Sequence, residues 1–182
     1  MKRLFAVSLY LCLATASAVA FASGPHVHGT GELRVAVENS NLSIEFRSPL
    51  ENLLGFERAP KTDVQRAAVK AMTARLNKPE TLFKLPKSAS CTAGPARIDS
   101  PLNNAPAKPS KSAKTAHKGD DDDHAELTAN FGFVCTNVSK LDSIEVLIFG
   151  AFPRTRTIKA EIIGRRGQSA ATLSPNRRVI KF

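Results

Sequence analysis

Residues 31–49, "GELRVAVENSNLSIEFRSP", decide the fold. Leu33, Val35 and Val37 alternate with polar or small residues, and so do Leu42, Ile44 and Phe46. Successive side chains of an extended chain point to opposite faces, so each run buries one face and wets the other. Between the runs, Glu38-Asn39-Ser40-Asn41 supplies turn chemistry, because asparagine tolerates positive φ and its side chain bonds the local backbone. The stretch predicts an antiparallel hairpin with one buried face.

Downstream, "SPLENLLGFERAP" (48–60) is apolar but has no clean period, which predicts a packed irregular loop. "KTDVQRAAVKAMTARLNKP" (61–79) predicts an amphipathic helix. Thr62 and Gln65 have capping-box spacing, Val64, Ala68, Met72 and Leu76 recur on one face, and Asn77 and Pro79 mark the end. "ETLFKLP" and "SCTAGPARIDS" suggest a turn of helix and then a strand carrying Cys91. In "HAELTANFGFVC" (124–135), Leu127, Ala129, Phe131, Phe133 and Cys135 share one face. "SIEVLIFGAFP" (143–153) is a nearly continuous apolar run and predicts a central strand. "TIKAEIIG" alternates, "GRRGQ" is a turn, and "SAATLSP" and "RRVIKF" add two short strands. Residues 100–123 are Pro, Ala, Lys, Ser and Asp of low complexity. They carry too little apolar surface to offset ordering entropy and are expected to be a disordered insertion. One helix, one apolar loop and about six to eight strands give an α+β class, with an antiparallel sheet, one amphipathic helix and a disordered internal insertion.

Upstream, Lys2 and Arg3 precede an apolar run that ends in Ala20-Phe21-Ala22, an A-x-A cleavage pattern. Residues 1–22 are therefore expected to be a secretory signal peptide, and 23–182 a single domain. The rival reading, a retained anchor, is disfavoured by the Ala/Ser-rich run, and no stable membrane insertion is expected once the signal is removed. The chain has 26 Lys+Arg against 16 Asp+Glu, and Lys2 and Arg3 leave with the signal. The mature chain is thus still basic. An exported protein rarely meets nucleic acid, so the charge implies solubility or an acidic partner face. Cys91 and Cys135 are the cysteines remaining after the signal. In an oxidising compartment a disulfide is the default. The rival reading, a Cys/His metal site, needs both thiols reduced.

The whole chain has four histidines, and two of them, His26 and His28, flank one valine. In an extended chain, residues i and i+2 project to one side, and two imidazoles there can clamp one ion. His124 and Glu126 repeat the spacing. The core positions of both neighbouring strands are odd-numbered, whereas all four candidates are even-numbered. If the strand starts lie side by side, His26, His28, His124 and Glu126 can enclose one metal. A bulge at Gly29 or Gly31 would reverse that parity. Alone, H-x-H reads equally well as a polar lead-in, and Asp120 to Asp123 as solvated charge. An amino-terminal copper site is excluded because Pro25 lacks the required N–H. "HGTG" (28–31) is unaccompanied by a G-x-S-x-G elbow, and the other histidines lie in or beside the insertion, so no enzyme is expected.

"HVHGTGEL" behind a signal-like segment, "SPLENLLGFERAPKTDVQRAAV", "LFKLP" with a following cysteine, "HAELTANFGFVC", "FGAFPRTRTIKAEI" and "GQSAATLSP" together resemble the ZrgA-type periplasmic zinc-uptake family. The resemblance covers nearly all of the mature chain. It implies an exported, non-catalytic, zinc-binding accessory protein working beside an ABC-type zinc importer or its binding protein. Members of that family often carry a long His/Asp-rich tract in the insertion, which here is reduced to "AHKGDDDDH" (116–124). A single ordered site is therefore the expectation. His26, His28 and His124 match the family pattern, and Glu126 is added from spacing. The alternative is a secreted scaffold or adaptor that has lost metal function and meets an acidic partner through Arg154, Arg156, Arg165 and Arg166.

Overall fold

The structure is a computed structural model that describes residues 27–102 and 125–182. The expected signal peptide, His26, His117, His124 and nearly all of the expected insertion lie outside the described residues.

The hairpin forms as its alternation predicts. Strands β1 (Thr30–Glu38) and β2 (Asn41–Pro49) pair antiparallel, with Val35 opposite Ile44 and Glu38 opposite Asn41. Asn39 takes φ +53° in the connection, a conformation asparagine tolerates better than most residues. Leu33, Val35, Leu42, Ile44 and Phe46 are buried. The hairpin is the middle of a seven-stranded sheet. β6 (Glu126–Cys135) runs antiparallel beside β2, and both β4 (Cys91–Ala93) and β5 (Arg97–Asp99) pair with β6. On the other side of β1 lie β8 (Thr157–Gly164) and β9 (Gly167–Leu173), for an order β4-β6-β2-β1-β8-β9. The odd-numbered residues Leu127 to Cys135 of β6 and the even-numbered Ile158, Ala160 and Ile162 of β8 all face the core.

One ladder corrects the antiparallel expectation. β1 and β8 run parallel, with Thr30 opposite Thr157 and Val35 opposite Ile162. Alternation reports which face is buried and carries no information on the direction of the neighbouring strand. A parallel pair needs a long crossover, and here most of the chain lies between its members.

A second, three-stranded sheet of β3 (Phe83–Lys84), β7 (Ser143–Val146) and β10 (Val179–Lys181), in the order β10-β7-β3, shares the core. Phe83 joins the layers, with its ring edge-on to Phe131 at 5.2 Å and to Phe133 at 6.4 Å between centroids. The apolar run 143–153 is only partly a strand. β7 is central in the small sheet, but the chain then turns into α4 (Ile148–Ala151), which buries Ile148 and Phe149. Period cannot separate a buried strand from a buried helical turn in such a run.

The long helix α2 (Asp63–Leu76) starts with the expected capping box. Gln65 N–H donates to Thr62 Oγ1, and Thr62 N–H donates to Gln65 Oε1, each at 3.2 Å. Its apolar face is corrected at one position. Met72 and Leu76 are buried, but Val64 is 80% exposed because only the C-terminal half of the helix has core to pack on. The expected loop at 48–60 begins as a short helix, α1 (Leu50–Leu54), too short to show a period. α3 (Pro79–Leu82) places proline in its first turn, where the missing N–H costs nothing. The first residues of the expected insertion, 100–102, are among the described ones. Ser100 is buried and its Oγ accepts a bond from Leu102 N–H at 3.3 Å, which is packed structure where low complexity predicts none. With ten strands and four α-helices among the described residues, of which α2 alone exceeds five residues, the class is closer to mostly-β than to α+β.

Cys91 and Cys135 stand directly opposite each other in the β4–β6 pair and form a disulfide with an S–S length of 2.06 Å. It closes a loop spanning 44 residues in sequence.

Candidate functional site

His28 is not on the strand. It lies in the turn that precedes β1, where Thr30 N–H donates to Val27 O at 3.0 Å. Gly29 takes φ +83°, so the extended backbone of β1 does not continue back to His28 and the strand parity does not carry to it. The turn is held on two sides. Gly29 O accepts from Arg156 N–H at 2.8 Å and Thr157 N–H at 2.9 Å, at the start of β8. On the other side stands Asn52, an α1 side chain only 1% exposed. Its Oδ1 accepts from Gly29 N–H at 2.5 Å, and its Nδ2 donates to Thr30 O at 2.9 Å and to Ser48 Oγ at 3.1 Å. A buried amide left without partners costs free energy, so this one specifies where the turn sits.

The same helix positions the residue that faces His28. α1 ends on Gly55 at φ +80°, with Gly55 N–H bonded to Glu51 O at 2.9 Å. The positive φ at Gly55 favours glycine; a Cβ there would come within 2.9 Å of the Arg154 guanidinium, the far end of a flexible side chain that can swing aside. Arg154 Nη1 lies 3.7 Å from Glu51 Oε1. Two residues beyond Gly55, Glu57 brings Oε1 to 3.2 Å from His28 Nε2. The histidine side chain is 54% exposed and the glutamate 19%. Both line an open cleft of about 360 Å³ together with Glu51, Phe56, Lys61 and Gln65. Its far wall is anchored by the α2 capping box, where Gln65 Oε1 also accepts from Lys61 N–H at 2.8 Å.

Glu126 occupies a different setting. It opens β6 on the face away from the core, opposite Pro49 at the end of β2. Arg47 grips its Oε1 with Nη2 at 2.6 Å and Nε at 2.8 Å, and also lies 3.7 Å from Glu32. The bond to Glu126 is the chief cause that raises the Arg47 pKa above its ordinary value, so this cation is permanent. A second row of the same kind crosses the sheet, with Arg34 between Glu45 at 3.3 Å and Glu161 at 3.5 Å.

The starts of β1 and β6 share one end of the sheet, but they are not neighbours, because the end of β2 separates them. Of the four ligands expected from sequence, His28 and Glu126 are among the described residues, while His26 and His124 are outside them. Among the described residues, no three His, Cys, Asp or Glu side chains gather as a metal site. Sequence reasoning missed Asn52 and Glu57. The signals available were a polar residue inside the apolar run "LENLL" and an acid just after the glycine that stops it.

A profile described as ZrgA family zinc uptake protein matches residues 25–182, nearly the whole chain, and the chain belongs to that family. This is a zinc uptake family and not one defined by catalysis. No curated relative matches the sequence. Among the described residues, no helix is long and apolar enough to cross a membrane.

Proposed function

We propose that this member of the zinc uptake family is a periplasmic accessory protein that binds zinc as cargo and presents it to an ABC-type zinc importer or to that importer's binding protein. The observation that carries the reading is His28, fixed on a turn by the buried Asn52 and opening with a carboxylate onto a solvent-accessible cleft. Imidazole nitrogen suits zinc, and a carboxylate beside it adds the charge that a divalent ion needs. His26, His28 and His124 are the proposed nitrogen ligands, with a carboxylate completing a four-coordinate site. Spacing nominates Glu126 for that place. The Cys91–Cys135 disulfide supports an oxidising location outside the cytoplasm. Cargo must be released, and an open cleft with one polar wall gives the ion a path out.

Calorimetric zinc titration of the mature protein and of the His26→Ala/His28→Ala variant tests the reading. Loss of two of four ligands is expected to weaken binding by about 100-fold or more. Equal affinity in the two proteins would remove the site, and with it the uptake role proposed for this chain. A metal-independent, salt-sensitive partner would then favour the adaptor alternative.

A further inference from the structure

We propose that strand β9 is a docking edge for a second copy of this chain, and that two copies pair β9 to β9 about a twofold axis into one continuous sheet. The large sheet ends on β9, which among the described residues has a neighbour, β8, on one side only. An antiparallel edge strand turns the N–H and C=O of every second residue outward, where another strand can bond them. Natural edges are usually blunted by charge, proline or shortness. The opposite edge of this sheet is blunted in that way. There β4 and β5 have three residues each, and Gly94, Pro95 and Ala96 separate them. The small sheet is bounded by β10 and β3, of three and two residues. β9 carries none of these protections. It runs for seven residues, "GQSAATL", without a charge or a proline, and Gln168, Ser169, Ala170 and Thr172 are exposed.

The chemistry of the strand selects its own copy. An antiparallel pair centred on Ala170 sets Gly167 opposite Leu173 of the second copy, Gln168 opposite Thr172 and Ser169 opposite Ala171. Every pair is uncharged, and Gln168 and Thr172 can share a side-chain hydrogen bond. The same register accommodates the basic turn between β8 and β9, since Arg166 falls opposite Ser174 of the copy and Arg165 opposite Pro175. Arg165 is also drawn aside, with its Nη2 donating to Ser139 O at 3.2 Å. Parallel pairing would instead gather the arginines of both copies at one end, where like charges repel. With one open edge per molecule, the assembly closes at two copies and does not grow into a fibre. An axis through Ala170 sends the two β8 starts, and the His28 turns bonded to them, to opposite ends of the joined sheet. Both His28 clefts stay open, so the inference is independent of the zinc-binding reading.

A single ladder about 24 Å long, with no apolar core of its own, belongs with weak and transient contacts. The test is therefore sedimentation equilibrium of the metal-free mature full chain, run from about 10 to about 500 μM. Two variants probe the edge and its register. Gln168→Lys/Thr172→Lys sets like charges face to face twice across the axis, and Gln168→Lys/Thr172→Glu sets opposite charges there. Both positions are exposed, and the melting temperature checks that each variant folds. The wild type is expected to dimerise as its concentration rises. The two variants are expected to differ about tenfold in association, with the Lys/Glu variant the tighter. Added salt should tighten the wild-type dimer, because the basic chain repels its copy. A chain that stays monomeric to the highest concentration overturns the proposal. So does a dimer that both variants form equally, which puts the contact elsewhere, and so does a dimer that salt dissociates, which makes the contact ionic.

Discussion

Strand β6 runs from Glu126 to Cys135, about 30 Å at the usual rise of a strand, and its two ends are held by different chemistry. At the Cys135 end the constraint is covalent and apolar, with Cys135 buried, bonded to Cys91, and Phe133 packed against Phe83. At the Glu126 end it is polar and directional. Arg47 holds Glu126, and beyond the end of β2 Asn52 fixes the His28 turn through two hydrogen bonds and ties it to Ser48 of β2 through a third. Apolar packing and a crosslink hold chain segments together without aiming any one polar atom. Hydrogen bonds to a buried amide do aim them, which a binding site requires. The disulfide end should therefore govern stability alone, and the Asn52 end stability and zinc binding together.

The largest expected effect lies at the covalent end. Replacing both cysteines, Cys91→Ser with Cys135→Ser, releases a loop of 44 residues in sequence separation. The chain-entropy treatment of such a loop gives a loss of about 4 kcal/mol. A lower urea midpoint with zinc affinity within about twofold of the parent would sustain the separation between the two ends. A large drop in affinity in protein that remains folded would break it, because the crosslink would then be shaping the site.

Asn52→Ala comes next. It leaves Gly29 N–H and Thr30 O without their side-chain partner in a partly buried place, at a cost of about 3 kcal/mol. The loosened turn should also lower zinc affinity about tenfold, as removal of an outer-shell support commonly does. Denaturant unfolding and zinc competition on the same samples give both readings. Destabilisation with undiminished affinity would show that the turn does not position His28, and the contrast between the ends would collapse.

Where each constraint acts through the burial of a face, the sequence carried it plainly. The alternation at Leu33–Val37 and Leu42–Phe46 gave the hairpin, and the odd-numbered set from Leu127 to Cys135 gave the strand beside it. The capping box at Thr62 and Gln65 and the cysteine pair were also legible, because each is a local chemical signature. The parallel β1–β8 ladder was not, since direction leaves no trace in alternation. Neither was α1, a helix shorter than the period that would announce it. The site was half legible for the same reason. His28 stands out as a rare residue, whereas Asn52 and Glu57 gain their meaning only when a five-residue helix turns them towards Gly29 and His28. The parity rule placed Glu126 on the solvent face, as observed, but it could not foresee β2 between the strand starts or Arg47 waiting there.

The smallest effect separates the two glutamates most directly. Glu126 faces the permanent cation of Arg47, and Glu57 faces His28. Glu126→Gln keeps the shape and removes the charge that Arg47 grips, in a pair whose side chains are 20% and 24% exposed. Partly exposed ion pairs contribute little, so a loss of about 1 kcal/mol is expected, smaller at high salt because screening already weakens the pair. Zinc affinity within about twofold of the parent would leave the lost charge to the sheet-surface ladder and remove Glu126 from the ligand set. A clear loss of affinity, which the proposed ligand set expects, would mean that the ion draws Glu126 away from Arg47. Glu126 would then serve the sheet-surface ladder in the metal-free protein and the site across the end of β2 once zinc is bound.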